Sequence, residues 1–326
     1  MATIKDVAVE AGVSISTVSR VINNSLLVTE EKRNKVMQAI KKVGYEIPRR
    51  IAIRGIKNKI ILVITTMFSR PLLDGFRLAA NEMGYVVLFE LLDDSPDTYD
   101  QCTDVLRLLE KDILCGVILV NVMSKSEKVA ALFGSLPVVQ VGEYYPFDPT
   151  YVVLTDDEKA SYEMTSLLIE KGKRKIAYTA LEDNFLFNLN RIEGYRNALQ
   201  RYGLEQKPEY IYRADYSIEG GRDAARYFLS LSERPDAICC VVDTIAVGCV
   251  KELISQGIRI PDDIAVTGFD DSYMAETIIP EITTVAQSYH EISAEAIRCL
   301  DLIIQGKSNI GRKIIIPHTL IERETT

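Results

Sequence analysis

Thr3-Ile4-Lys5-Asp6-Val7-Ala8-Val9-Glu10-Ala11-Gly12-Val13-Ser14-Ile15-Ser16-Thr17-Val18-Ser19-Arg20-Val21-Ile22-Asn23, at the start of the 326-residue chain, encodes two short helices and the turn between them. Thr3 and Asp6 have the Thr-x-x-Asp spacing of a helix N-cap. Ile4, Val7, Ala8 and Ala11 recur at i, i+3, i+4, i+7 and so share one helical face. Gly12 ends that helix because it takes a positive φ cheaply. Val13 plugs the space between two helices, and Ser14 caps the next one. Over 15–23, Val18, Val21 and Ile22 face inward. Ser16, Arg20 and Asn23 share the opposite face, flanked by Ile15 and Ser19. A third helix is expected after Thr29, with Glu30 and Glu31 in its first turn, Val36, Ile40 and Val43 inward and Gly44 as its stop. Two short helices on a tight glycine turn, closed by a third, make a helix-turn-helix. The second helix presents a small, polar face headed by Arg. That suits the major groove of duplex DNA, where Arg binds guanine bidentately and Ser or Thr reaches either strand.

The charge distribution agrees. The chain carries a net charge of -8, but residues 1–59 hold twelve Lys/Arg against five Asp/Glu. The head is therefore +7 and the remainder -15. A basic end on an acidic body suits a polyanion. The basic stretch over 47–59 follows the head as a linker over DNA phosphates. No apolar run approaches the ~18 residues that span a bilayer, and residues 1–6 lack the apolar stretch of a secretion signal, so a soluble cytoplasmic protein with no membrane partner is expected. Cys102, Cys115, Cys239, Cys240, Cys249 and Cys299 form no Cys-x-x-Cys pair and several sit in apolar runs, so buried free thiols are expected. With His290 and His318 as the only histidines, a His-rich metal cluster is excluded, and no cofactor or metal is expected. The chain has no Gly-x-Gly-x-x-Gly, no Gly-x-x-x-x-Gly-Lys-Ser/Thr and no Gly-x-Ser-x-Gly, and no acid–base or nucleophile constellation can be assembled from it. It reads as a non-enzyme.

From residue 60 the chain alternates. Strands are expected over 60–64, 85–91, 116–121, 137–141, 175–179, 237–242 and 264–269. Helices are expected over 74–83, 99–111, 162–171, 191–202, 219–231 and 245–256. Apolar β-branched runs alternating with amphipathic helices mean parallel sheets covered on both faces, and there are enough strands for two. Ligands in such folds bind beyond the carboxyl ends of strands, and two facing subdomains would leave a cleft. Asp156 and Asp157 follow one strand, Asp243 ends another and Asp270-Asp271 end a third. Arg191 opens a helix, and Tyr216 and Tyr289 sit in connecting segments. Carboxylates and an Arg among aromatic faces suit a polyol, whose hydroxyls they bind while the rings stack on its apolar face. Asp243 reads equally as a plain helix N-cap.

Thr3-Ile4-Lys5-Asp6-Val7-Ala8, Ala11-Gly12-Val13-Ser14, Ser16-Thr17-Val18-Ser19-Arg20-Val21-Ile22-Asn23 and Gly44-Tyr45 resemble the DNA-binding head of the lactose-repressor (LacI/GalR) family. The likeness continues through Arg191-Ile192-Glu193-Gly194-Tyr195, Val266-Thr267-Gly268-Phe269-Asp270-Asp271, Thr283-Thr284-Val285-Ala286-Gln287 and Leu320-Ile321-Glu322-Arg323-Glu324, and so covers nearly the whole chain. It implies an α/β protein: an N-terminal three-helix helix-turn-helix head, then two doubly wound parallel-sheet subdomains of periplasmic-binding-protein-like architecture. The implied division is a DNA-binding domain over 1–46, a hinge over 47–59 and an effector-binding and dimerisation domain over 60–326. Within the last, one subdomain takes about 60–156 plus 290–320 and the other about 157–289. The family's hinge helix wedges a Leu into the minor groove and kinks the duplex; here Ile53 or Ile56 would be the wedge, unless the segment is a flexible tether. The implied DNA-binding residues are Thr3, Ser14, Ile15, Ser16, Thr17, Arg20 and Asn23, with Ile53 and Ile56. The implied effector-binding residues are Asp157, Arg191, Tyr216, Asp243, Asp270 and Tyr289, with Thr66 from a loop over 65–71 that is shorter than the family's. The implied function is that of a repressor binding double-stranded operator DNA as a homodimer, its affinity set by a sugar or nucleoside. The rival reading is a soluble solute-binding protein of the same body type, which would have no use for the basic head.

Overall fold

The structure is a computed structural model describing residues 3–22, 30–43, 45, 59–67, 69–92, 113–122, 133–134, 136–144, 150–182, 185–308 and 311–326, without the side chains of 19, 20, 22, 30, 31 and 41. The expected helix over 99–111, the cap Thr29, the stop Gly44, Cys102 and the hinge over 47–58 lie outside the described residues.

The head is built from α1 (Ile4–Ala11), α2 (Ile15–Ile22) and α3 (Glu30–Val43). Thr3 donates from its backbone N and its hydroxyl to the Asp6 carboxylate, at 2.7 and 2.8 Å, and Gly12 closes α1 at φ 63°. Ser14 Oγ accepts from Thr17 N at 3.2 Å and starts α2. Val7, Ala8, Val18, Val21, Val36, Ala39 and Ile40 form the buried core, with Val13 packed beside them. Of the inward set that the helical spacing predicts, Val7, Ala8, Val18, Val21, Val36 and Ile40 are buried and Ile4, Ala11 and Val43 are partly buried against them, while Ala39, which the spacing does not single out, joins the core.

The body holds two parallel sheets. The first has the order β11-β5-β4-β3-β1-β2. Its strands are β1 (Ile60–Thr65), β2 (Val86–Leu91), β3 (Leu114–Val120), β4 (Val138–Val141), β5 (Tyr151–Thr155) and β11 (Lys313–Ile316). Successive side chains alternate faces. Ile61 and Val63 meet α4 (Arg70–Glu82) and α10 (Tyr289–Ile304) through Phe76, Ile297 and Leu300, while Leu62 and Ile64 pack on Val117 and Phe133 on the other face. The second sheet has the order β7-β6-β8-β9, from β6 (Ile176–Leu181), β7 (Ile211–Ala214), β8 (Ala237–Cys240) and β9 (Ala265–Thr267). Its helices are α5 (Asp157–Glu170), α6 (Leu186–Arg201), α7 (Ile218–Ser230) and α8 (Asp243–Ser255), followed by the short α9 (Tyr273–Thr277). An antiparallel ribbon joins the two lobes: β10 (Thr284–Gln287) pairs with β12 (His318–Ile321). The chain passes between lobes at 155–157, at 287–289 and at 316–318.

Several expectations need correction. Helix α4, expected from 74, starts at Arg70, with Pro71 in its first turn. The return to the first lobe starts at Tyr289, one residue early, and its last strand ends at Ile316 rather than near 320. Pro317 has no N–H to continue the ladder, and the next strand pairs with the ribbon instead. Helix α5 starts at Asp157, not 162, because Asp156 caps it by accepting from Lys159 N at 3.1 Å. Helix α6 starts at Leu186, so Arg191 sits in its second turn and does not open it. Cys115, Cys239, Cys240, Cys249 and Cys299 are free and buried. No described helix is long and apolar enough to cross a membrane.

Candidate functional site

Two surfaces stand out. On the head, the first turn of α2 exposes Ile15 and Ser16, with Ile15 45% exposed although it is apolar. Ser14, Ser16 and Thr17 form a hydroxyl cluster: Ser14 Oγ is 2.8 Å from Ser16 Oγ and 2.9 Å from Thr17 Oγ1. Ser14 and Thr17 are thus committed to starting the helix as well as being near its outer end. Thr3 is exposed but engaged with Asp6. Arg20 lies on α2, its side chain outside the description; Asn23, Ile53 and Ile56 lie outside the described residues.

In the body, the carboxyl ends of strands from both lobes converge on a cavity of about 420 Å³. Thr66 follows β1, Asn121 follows β3, Gly142 follows β4 and Thr155 ends β5; opposite them lie Leu181, Val242, Tyr216 and Asp270, with Gln287 and Tyr289 on the crossing segment. Arg191 is the centre. It is 4% exposed, donates from Nε to Asp157 at 2.7 Å and from a terminal nitrogen to the Val241 carbonyl at 2.7 Å, and lies 3.8 Å from Asp270. Its guanidinium is stacked 3.4 Å from the Phe269 ring centre and 4.8 Å from that of Phe187. Gln287 donates to Asp270 at 2.7 Å and accepts from Thr155 at 2.9 Å, so a residue of the ribbon ties the two lobes at the cavity wall. Burial pushes the Asp270 carboxyl up to about 6, against the pull of Arg191. Asn121 and Asp270 both have left-handed backbone, at φ 49° and 108°, conformations that L side chains adopt at a cost and that cluster at functional sites.

Thr66, Asp157, Arg191, Tyr216, Asp270 and Tyr289 are therefore brought together, with Tyr216 at 54% exposure marking the mouth. Asp243 is not among them. It is buried beneath the site, where Ser272 N donates to it at 2.6 Å and Thr284 Oγ1 at 2.7 Å. It is not the cap of α8 either, a position held by Val242. Asp271 likewise turns away and binds Arg323 at 2.6 Å. Sequence reasoning missed Met67, Asn121, Phe185, Phe187 and Gln287. Asn121 was findable, being the polar residue that ends an apolar strand run. Phe185 and Phe187 gave no signal, since nothing local marks where α6 begins.

Residues 3–47 match the model for bacterial regulatory proteins of the lacI family, and residues 165–326 match a periplasmic binding protein-like domain. The chain is 32% identical over 337 residues to the HTH-type transcriptional regulator RegA of Clostridium saccharobutylicum, covering all of both chains. This chain belongs to the lacI family. It is a helix-turn-helix transcriptional regulator of that family with a periplasmic-binding-protein-like body. A solved complex of the transcriptional regulator CelR with cellobiose is 26% identical over all of both chains, with a TM-score of 0.75. The Lac repressor dimer bound to operator and the anti-inducer ONPF shares the fold, at a TM-score of 0.84 and 24% identity over 99% of this chain and 98% of that one.

Proposed function

We propose that this lacI-family chain is a repressor that binds double-stranded operator DNA as a homodimer, and that a sugar or nucleoside entering the cavity between the lobes resets its affinity for DNA. The head docks α2 in the major groove, with Ile15, Ser16 and Arg20 reading base edges and the Ser14/Thr17 hydroxyls near the phosphates. Ile15 touches a thymine methyl. In the body, Asp157, Asp270 and Arg191 bind hydroxyls while Tyr216 and Tyr289 cover an apolar ring face. The observation that carries this reading is the coexistence, in one chain, of an α2 whose first turn is exposed behind a hydroxyl cluster and a cavity centred on a buried Arg between two carboxylates. The Lac repressor was solved as a dimer on operator and CelR with cellobiose, which supports both halves of the proposal.

Coupling requires the ligand to bind the two lobe arrangements with different affinity, and it is reciprocal. The test is fluorescence anisotropy on genomic fragments, followed by a thermal-shift screen of sugars and nucleosides. One fragment should be preferred over random DNA, a hit should change operator affinity, and operator should change the affinity for that hit by the same factor. Deleting residues 1–59 should abolish DNA binding and spare ligand binding. A chain that prefers no fragment overturns the regulator reading, and a hit whose affinity ignores operator overturns the switch.

A further inference from the structure

The positive features of the cavity are already answered by carboxylates of the chain itself. Arg191 is the only cationic side chain in its described lining, and it faces Asp157 and Asp270. The second positive feature lies at the cavity wall, where Phe185 and Phe187 line it: the N-terminus of α6, a helix of 16 residues that begins after Phe185 with no capping side chain of its own. Unpaired amides at such a terminus, aligned with the helix dipole, are a ready seat for an anion. Glu143 fills it from the opposite lobe: Leu186 N donates to Oε2 at 2.9 Å and Phe187 N to Oε1 at 3.0 Å. Glu143 is 4% exposed. Burial pushes its carboxyl up, but each oxygen accepts an amide hydrogen, which is the arrangement of the ionised form. Its own backbone N donates to Asn121 Oδ1 at 3.2 Å, so a cavity residue aims it.

Phe187, whose amide Glu143 holds, lines the cavity beside Arg191. An incoming phosphate or carboxylate therefore meets an Arg already engaged with Asp157 and the Val241 carbonyl, a helix terminus at the cavity wall that Glu143 occupies, and the carboxylates of Asp157 and Asp270 in a low-dielectric enclosure. We propose that Glu143 serves as a built-in anion at the α6 terminus, so that the cavity accepts uncharged or cationic polyhydroxylated ligands and rejects phosphorylated and carboxylated ones. Hydroxyls or an ammonium donate to the surplus carboxylates, whereas an anion must first displace Glu143. This rests on the reading of the cavity as the effector site.

The test compares the full-length chain with E143A and E143Q, using inorganic phosphate and glucose 6-phosphate as probes against chloride at matched ionic strength. Wild type should melt at the same temperature in all three solutions. E143A vacates the two amides and should gain phosphate affinity at least tenfold over wild type, seen as a rise of about 2–4 °C once the site is filled. E143Q keeps an acceptor but loses the charge, and should respond less than E143A but more than wild type. Amide exchange at Leu186 and Phe187 reports whether the cap is gone, and should be faster in E143A. Wild type stabilised by either anion overturns the proposal. So does an E143A chain, folded and with fast exchange at those amides, that gains nothing; if E143A fails to fold, an E143Q chain that gains nothing does the same. Failure of the effector-site reading looks different: the phosphate contrast persists, while Arg191→Met leaves ligand control of operator binding intact.

Discussion

Asp243 and Asp270 end neighbouring strands, yet one supports the site and the other faces it. Asp243 is held up to about 7, by burial first and by the charge of Asp270 second. Both folded-state values lie above that of an unfolded chain, so between about pH 4 and pH 7 the folded chain keeps protons that the unfolded chain has released. Their contribution to stability is complete below the ordinary carboxylate value and is lost as the pH rises towards 7. Urea unfolding across pH 4.5–7.5 should therefore show a term that falls with pH. Asp243→Asn, which cannot titrate, should flatten it by up to about 1.4 kcal/mol per pH unit. Identical slopes in the two proteins would remove the assignment to Asp243. The sequence places both aspartates at strand ends; it does not show that Thr284 and Ser272 close over one of them, because those residues arrive from a segment about thirty to forty positions away.

The helices were legible as helices because their apolar residues recur with the right period, but their starts were legible only where the cap is local. Thr3 and Ser14 announce α1 and α2 from within a few residues. Helix α6 is capped by a carboxylate more than forty residues upstream, so its first turn carries no signal and Arg191, which sits in the second turn, reads from the sequence as the opening residue. Gly221 and Gly248 look like weak points in α7 and α8, yet they are where the two helices touch. A Cβ at Gly248 would lie 2.1 Å from the Ile218 carbonyl oxygen and 2.8 Å from the Gly221 Cα. Backbone cannot yield as a side-chain tip can. Gly248→Ala should thus cost about 1–3 kcal/mol in chemical denaturation, despite the better helix propensity of Ala. A neutral or stabilising result would mean that the α7–α8 approach is looser than described.

Taken whole, the molecule is electrically divided, +7 over residues 1–59 and -15 over the remainder. A DNA complex made by the head releases condensed counterions, so a plot of log affinity against log salt should be linear and steep, with a slope of about -0.9 for each phosphate neutralised. Titration of the best fragment at several salt concentrations checks this, and a flat plot would exclude the basic head as the contact. The overall architecture was the most legible level of all, since alternation of strand and helix periods and a charge boundary survive errors in individual residues. What escaped was the rest of the cavity wall, Met67, Asn121, Phe185, Phe187 and Gln287, which come from separate connections with no shared local pattern.

The three passages of the chain between lobes set how ligand preference can be exchanged among relatives. The second lobe is nearly continuous over 157–288, whereas the first lobe is assembled from two stretches, the later of which supplies α10 and β11. A recombinant made with one junction inside the body would mix parental faces within a single hydrophobic core. One made with junctions near 156 and 288 would transplant one half of the binding wall intact, leaving the donor Arg191 to face a foreign counterpart of Glu143.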